Sequence, residues 1–409
     1  MSPGDGALSL QLWSSHYAPE PMGIGPVVTT LASGLHERGH AVQVIAAHPH
    51  YPVPSWGRRI LPYRERRDGI PVLRLPLWVA RRESGTRRVL EDLSFVGGLL
   101  AALPAIGRPD AMVVVSPSFP SLVPAMLNAR LRRIPWLLWI QDLLPDGAIA
   151  TGLLPERGLV VRASRRVERA AYRSARRIGV VSRAFERALI ARGVPERKVE
   201  LLENPATRPL PPGSVFNRSG DPPRVLSMGN IGYTQGLAPL AAAFERSEAM
   251  ARIGARLVIT GDGVAASEVR AAISGDHVQM LGVVDDDRLE AELRSATLAL
   301  VSQRYDGVEF NLPSKLANFM GYGLPVIAAV NPASEAAALV RESSAGWVVD
   351  SADPEALPRA VERALSDPAE LERRAEAAHA CARERFHPDA LAQHFERTIR
   401  ATLSQSDRG

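Results

Sequence analysis

The 409-residue chain carries 49 Lys+Arg against 44 Asp+Glu, a net charge of +5, with 46% apolar residues and a single cysteine. Its length exceeds the roughly 250 to 300 residues that one hydrophobic core organises, so two domains are expected. Cys381 alone excludes an internal disulfide and a cysteine-based metal cluster and fits a reducing, cytoplasmic compartment, and with no recognised nucleic-acid module in the chain no nucleic-acid partner is expected, although its basic stretch would attract one.

Residues 8–13 are an apolar run too short and too poorly flanked for a secretory signal, and they read as a first strand. Behind them His16-Tyr17-Ala18-Pro19-Glu20 and then Gly23-Ile24-Gly25-Pro26 lead into a helix over 26–38. Gly23 and Gly25 would let backbone approach an anion at the start of that helix, and His16 could pair with phosphate or with an acceptor. Strands are expected at 41–46 and 72–75. Between Arg58 and Arg88 ten arginines face three acids, with Tyr63 and Trp78 among them and Trp56 just before. That composition suits an anionic lipid surface, or a solvated face. The longest apolar stretch, 93–106, is broken by Gly97-Gly98 and Pro104 and falls short of the about 20 residues a spanning helix needs. The chain is therefore expected to be soluble, or peripheral to the inner face of the cell membrane.

Further strands are expected at 111–115, 136–140 and 178–181. Asp142 directly follows the second of these and either orients or deprotonates an acceptor hydroxyl or caps a turn. The basic stretch 157–177 has the spacing of an exposed helix face, and Lys198 stands in a charged turn that reads as solvated. Residues 205–223, rich in Pro, Gly and Ser and without periodicity, mark a linker, placed at 208–221. A second alternation follows, with strands at 224–228, 256–260, 278–281, 298–301, 326–329 and 346–349. Strands alternating with helices indicate parallel sheets covered on both faces. The fold class is α/β, two tandem doubly wound Rossmann-like domains over 1–207 and 222–385. Residues 386–409 form a last helix expected to return to the first domain.

In such sheets ligands bind beyond the carboxyl ends of the strands. Gly229-Asn230-Ile231-Gly232 and Gly261-Asp262-Gly263 stand there and can offer N–H groups to phosphate, although a plain turn would look the same. Lys315 is the sharper signal, because the chain's only lysines are Lys198 and Lys315. An ammonium is a compact point charge that can face one phosphate oxygen, which a planar guanidinium does less well. Lys315 follows Leu312-Pro313-Ser314 at the start of a helix that leaves through Gly323-Leu324-Pro325 into an apolar strand.

Glycine turn, Gly-Asp-Gly, then Pro-Ser-Lys entering a helix and Gly-Leu-Pro-Val leaving it resembles the C-terminal half of the family 4 glycosyltransferases of GT-B fold. The branch most similar builds capsule, O-antigen and exopolysaccharide. The segments Gln141-Asp142, Val181-Ser182, Gly193-Val194-Pro195, Asn204-Pro205 and His16 to Glu20 agree, so nearly the whole chain is covered. The resemblance implies two domains facing an interdomain cleft and sugar transfer with retention from a UDP- or GDP-linked donor, without cofactor or metal. The acceptor would be a saccharide or a polyprenyl-diphosphate-linked one. Family members carry two glutamates with seven residues between them; counted back from Gly323, these positions hold Phe310 and Asn318. Glu309, one residue early, is then expected at the donor sugar and Asn318 at the ribose. Tyr233 and Gln235 stand where many members have Arg and Lys, so phosphate charge falls to Lys315. The expected catalytic group is Lys315, Asp142 and Glu309. Gly229, Asn230, Gly232, Gly261, Gly263, Leu312, Pro313, Ser314 and Asn318 would bind the donor, and His16, Gly23 and Gly25 the acceptor or its phosphate. Two alternatives remain, a natural-product glycosyltransferase or pseudo-glycosyltransferase and a silent nucleotide-sugar-binding homologue.

Overall fold

Short apolar runs bounded by turn residues become strands buried along most of their length, which requires helices on both faces of each sheet. A computed structural model describes residues 6–20, 23–50, 61–78, 85–116, 121–142, 158–216, 222–305 and 312–404, without the side chains of 85–92 and 159–160. The chain divides into two units, Met1–Asn204 with Pro388–Gly409, and Pro205–His387.

In the first unit the described strands are β1 (Ser9–Ser14), β2 (Ala41–Ala47), β3 (Tyr63–Arg67), β4 (Ile70–Leu75), β5 (Ala111–Ser116), β6 (Trp136–Ile140), β7 (Arg177–Val180) and β8 (Val199–Leu201). They lie in the order β3-β4-β2-β1-β5-β6-β7-β8, all parallel except the β3–β4 pair. The order reverses between β1 and β5, which opens a crevice at their carboxyl ends. The last helix, Pro388–Ser404, packs on the helix Gly25–Glu37, where a Cβ on Gly34 would sit 2.7 Å from that of Ala392. Its Phe395 meets Trp139 of β6 edge-on at 4.7 Å.

The second unit holds β9 (Arg224–Met228), β10 (Arg256–Thr260), β11 (Val278–Gly282), β12 (Leu298–Ser302), β13 (Val326–Val330) and β14 (Gly346–Asp350), parallel in the order β11-β10-β9-β12-β13-β14. Alternate residues feed opposite cores: Ala299 and Val301 of β12 join one cluster, Leu298 and Leu300 the other. Each such Leu or Val contributes about 1.5–3 kcal/mol on burial. Its reversal lies between β9 and β12. The stretch assigned as a linker at 208–221 is no free tether in its described part, 208–216. Leu210 fills the space over Gly321, and the Val215 amide donates to the Tyr322 carbonyl at 3.0 Å.

No described helix is long and apolar enough to cross a membrane. Of the arginines between 58 and 88, Arg64 and Arg66 are exposed on edge strand β3, whereas Arg74 is fully buried; 58, 59, 81 and 82 lie outside the described residues. Lys198 is not a solvated turn residue either. Its ammonium donates to the carbonyls of Tyr172, Arg173 and Ala175 at 3.3, 2.9 and 3.0 Å, closing the C-terminal end of the helix Leu159–Ser174.

Candidate functional site

In the second unit the loops at the sheet reversal meet. The Arg304 amide behind β12 donates to the Thr234 carbonyl behind β9 at 2.8 Å, and Asn331 Nδ2 behind β13 donates to the Tyr305 carbonyl at 3.2 Å. The chain re-enters at Leu312, which packs against the core, and begins the helix Ser314–Gly321 behind Pro313, with no side chain capping its start. The Leu316 amide donates to the Pro313 carbonyl at 2.9 Å, no side chain caps the amides of Ser314 and Lys315, and the helix dipole favours an anion there. Lys315 stands in that turn, half-buried, and pairs with no carboxylate among the described residues. Burial alone lowers its pKa to about 8. Glu309 and Phe310 lie outside the described residues.

The two glycine turns have different reasons. Gly261 has φ +118° and Gly263 φ +159°, and a Cβ on them would fall 2.0 Å from the Gly229 carbonyl oxygen and 2.5 Å from that of Ile231. The Ile231 amide donates to the Asp262 carbonyl at 2.9 Å. Gly261 and Gly263 are therefore taken up by backbone packing against the neighbouring turn. Gly229, at φ +99°, has nothing within 4 Å of a built Cβ, and Gly232 has only the side chains of its own turn. The turn at 229–232 keeps open space beside Gly229, but not the row of free amides expected of it: the Gly229 amide donates to the Thr260 carbonyl at 3.0 Å, that of Ile231 to the Asp262 carbonyl and that of Gly232 to Gln235 Oε1 at 2.5 Å.

Asn318 departs from expectation. It is buried, its Oδ1 accepts the amides of Thr207 and Arg208 at 2.9 and 3.2 Å, and its Nδ2 donates to Thr207 Oγ1 at 3.0 Å. Both acceptor sites are used within the protein, so the side chain ties its helix to residues 207–208 and leaves no acceptor for a ribose hydroxyl. Asn318→Ala should lower the stability of this unit by about 1 to 3 kcal/mol in chemical denaturation, since it removes a buried side chain and takes the acceptor from the part-buried amides of Thr207 and Arg208. Nucleoside-diphosphate affinity of the folded protein should not change. Lost affinity at unchanged stability would return Asn318 to the ribose.

In the first unit the turns behind β1 and β2 bring together His16, Glu20 and His50. Glu20 Oε2 lies 2.7 Å from His16 Nδ1 and Oε1 lies 3.1 Å from His50 Nδ1, while the His50 amide donates to Oε1 at 2.8 Å. Burial raises the carboxyl's pKa, but the hydrogen bonds from His16 and His50 outweigh it and hold it at about 2. Gly25 packs on this residue, its Cβ position 3.2 Å from Glu20 Cβ, whereas Gly23 at φ +68° has open space. Arg74 braces both turns, its guanidinium donating to the carbonyls of Ala18 and Ala47 and to Glu65. Ligand atoms of His16, Glu20 and His50 lie within 4.8 Å of one another, close enough for an ion. His50 Nδ1, however, also faces the His48 carbonyl at 3.0 Å, which can only accept, so that nitrogen carries a proton and is a poor ligand.

Asp142 is exposed just past β6, and the residues that follow it, 143–157, lie outside the described ones. Its neighbour Gln141 accepts from Asn204 Nδ2 at 2.8 Å, joining two segments that the sequence quotes separately. His50 and Arg74 were not singled out as functional from sequence. His50 carries a legible signal, since it lies just past the carboxyl end of a parallel strand; Arg74 looks like one arginine among ten.

Family models match in tandem: a glycosyl transferase 4-like domain over residues 22–205 and glycosyl transferases group 1 over 222–367. The putative colanic acid biosynthesis glycosyl transferase WcaI of Escherichia coli K12 is 28% identical over 333 residues, covering 77% of this chain and 82% of its own. Sucrose-phosphate synthase of Thermosynechococcus elongatus superposes with a TM-score of 0.67 at 19% identity, over 97% of this chain and 99% of that one. Anabaena HepE, in complex with UDP, gives 0.64 at 16% over 96% and 100%. At such identities the solved structures speak for the fold.

Proposed function

This chain belongs to the family 4 glycosyltransferases of GT-B fold, and from that premise we propose that it moves a sugar from a UDP- or GDP-linked donor to a saccharide or polyprenyl-diphosphate-linked acceptor, in cell-surface polysaccharide biosynthesis. The observation that carries the donor side is Lys315 in the uncapped first turn of the helix Ser314–Gly321, a cation without a carboxylate partner among the described residues. As the bond between sugar and diphosphate stretches, negative charge grows on the leaving oxygens. A fixed cation and fixed amide dipoles stabilise that charge more than they stabilise the bound donor.

Lys315 faces the diphosphate in this proposal, with Ser314 and the open side of the turn at Gly229 around it. Asp142 and His16 serve the acceptor. The similarity to WcaI supports a polysaccharide product. Transfer is proposed to retain the anomeric configuration and to need no metal.

A thermal-shift panel of nucleoside diphosphates and their sugars tests the proposal. The matching nucleotide at 100 times its Kd should stabilise by about 2.7 kcal/mol, several degrees in the melting temperature. Transfer should then survive chelator, and NMR of the product should show the donor's anomeric configuration. No shift at millimolar concentration with any nucleotide would overturn the transferase proposal in favour of a silent homologue.

A further inference from the structure

We propose that one face of the first unit, made by the outward sides of the helices Gly85–Ala102, Leu122–Arg132 and Leu159–Ser174, lies on an anionic lipid bilayer, with apolar side chains of the first two entering the interface and an arginine row of the third meeting the lipid phosphates. This goes beyond the transferase proposal and does not rest on it, since the surface belongs to one unit and is tested with no nucleotide present.

The three helices share a face for a topological reason. The crossings from β4 to β5, β5 to β6 and β6 to β7 all run the same way along the sheet, so right-handed connections put them on one side. The crossing from β1 to β2 runs the other way and puts Gly25–Glu37 on the opposite side, where the last helix packs on it. On the first side the helices neighbour one another in chain order, and Arg132 ties the first to the second by donating to the Leu103 carbonyl at 2.6 Å and to that of Ile106.

Six of the twelve large apolar side chains that are exposed among the described residues stand here: Trp78, Leu93, Leu100, Val123, Leu127 and Leu131. Trp78 belongs to the group because its amide donates to Ser94 Oγ at 2.9 Å. Val123, Leu127 and Leu131, at 43%, 40% and 71% exposure, form one row along their helix, whose core side is already supplied by Leu122, Ala125 and Ala129. The neighbouring helix turns Leu93, Gly97, Leu100 and Ala101 outward, and the chain has no charged residue from 93 to 107. The stretch too short to span a bilayer thus presents part of itself to the outside. Apolar side chains gathered in this way mark an interaction surface.

The third row says what covers it. Arg162, Arg166, Arg169 and Arg173 recur at helical spacing and are all exposed, while the one acid of their helix, Glu168, is buried and accepts from the Tyr172 hydroxyl at 3.0 Å. Apolar rows with a cationic border are complementary to a leaflet that is apolar within and anionic at its phosphates. Arginine stems can lie along apolar surface while the guanidinium stays at the headgroups, and tryptophan favours the same depth. A second copy of the chain would match the apolar rows but would bring the arginine row no carboxylate from the described part of this face.

Sedimentation of the full chain with vesicles of phosphatidylcholine carrying about 30% phosphatidylglycerol, against phosphatidylcholine alone, tests the proposal. The wild type should bind the anionic vesicles about tenfold more tightly or better, and lose most of that difference at high salt. Arg166→Gln with Arg169→Gln should weaken binding roughly 25-fold, at about fivefold for each cation. Leu93→Ser with Leu131→Ser should weaken it by about tenfold or more and leave the melting temperature close to wild type, because both side chains are largely exposed. Brominated lipid should quench tryptophan fluorescence in the wild type and less so in Trp78→Phe. Equal binding to both kinds of vesicle, no binding to either, or binding untouched by the arginine pair or by the leucine pair would each overturn the proposal. Binding lost instead in Arg64→Gln with Arg66→Gln would move the contact to edge strand β3 and overturn it too. A dimer in light scattering that Leu93→Ser with Leu131→Ser splits, in a protein that ignores vesicles, would give the face to a second copy. A protein that docks on anionic vesicles but transfers no sugar fails the transferase proposal and leaves this one standing.

Discussion

Lys315→Ala is expected to fold normally and to lose sugar transfer, with kcat/KM down by about 3 kcal/mol of transition-state stabilisation, more than 100-fold. The fold should tolerate the change because the ammonium stabilises nothing within the described protein. Its pKa is lowered from 10.5 to about 8 by burial, so folding disfavours its charged form. The unfolded chain then binds more protons between pH 8 and 10.5, and stability should rise with pH through that window in the wild type and lose that rise in the alanine variant. Nucleotide binding runs the other way. In the free protein the cation is lost as pH rises through about 8, so affinity for a nucleoside diphosphate should fall there. Lys315→Arg should abolish that dependence while restoring only part of the rate, since a planar fork replaces a point charge. Wild-type turnover in Lys315→Ala would remove the residue from the chemistry.

Gly261→Ala should be the most damaging single methyl addition in the second unit's turns, at about 3 to 5 kcal/mol, combining a left-handed backbone with a close contact. Gly261 has φ +118°, and its Cβ would stand 2.0 Å from the Gly229 carbonyl oxygen, a backbone atom that cannot swing aside. Gly229→Ala provides the contrast. Its φ is +99° but its Cβ meets nothing within 4 Å, so stability should fall by only about 1 to 2 kcal/mol while the donor KM rises if this turn meets diphosphate. Urea denaturation of both variants separates the cases, and a loss below about 1 kcal/mol for Gly261→Ala would contradict the packing described.

Most of the parallel strands were legible because they are short apolar runs, as in Trp136–Ile140, buried throughout; the three-residue β8, Val199–Leu201, is too short to show such a run and was missed. Edge strand β3 was not. Tyr63–Arg67 carries three arginines and a glutamate, alternates between half-buried and exposed, and is held by pairing to β4 alone. Lys315 could be found because a helix start is a local pattern. Asn318 could not be read correctly, because its partners Thr207 and Arg208 stand more than a hundred residues earlier and only the folded chain brings them to it. The glycines of Gly261-Asp262-Gly263 look identical on paper to those of the open turn. What separates them is the backbone of a neighbouring turn, which no local spacing reveals. Arg74 was hidden for the opposite reason, since nine other arginines around it suggested surface and its burial depends on carbonyls from two distant turns.

Because Phe395 of the last helix packs on Trp139 of β6, the part of the chain made first is also the part finished last. On a ribosome, residues 1–204 emerge with the Trp139 side of their sheet lacking that helix, and it reaches them only after the whole second unit has been synthesised. At about 5–20 residues per second that interval is roughly 10 to 40 s. Through it the Trp139 side of the sheet waits for its final partner, and a chain cut before Pro388 should give a first unit of lower stability in chemical denaturation.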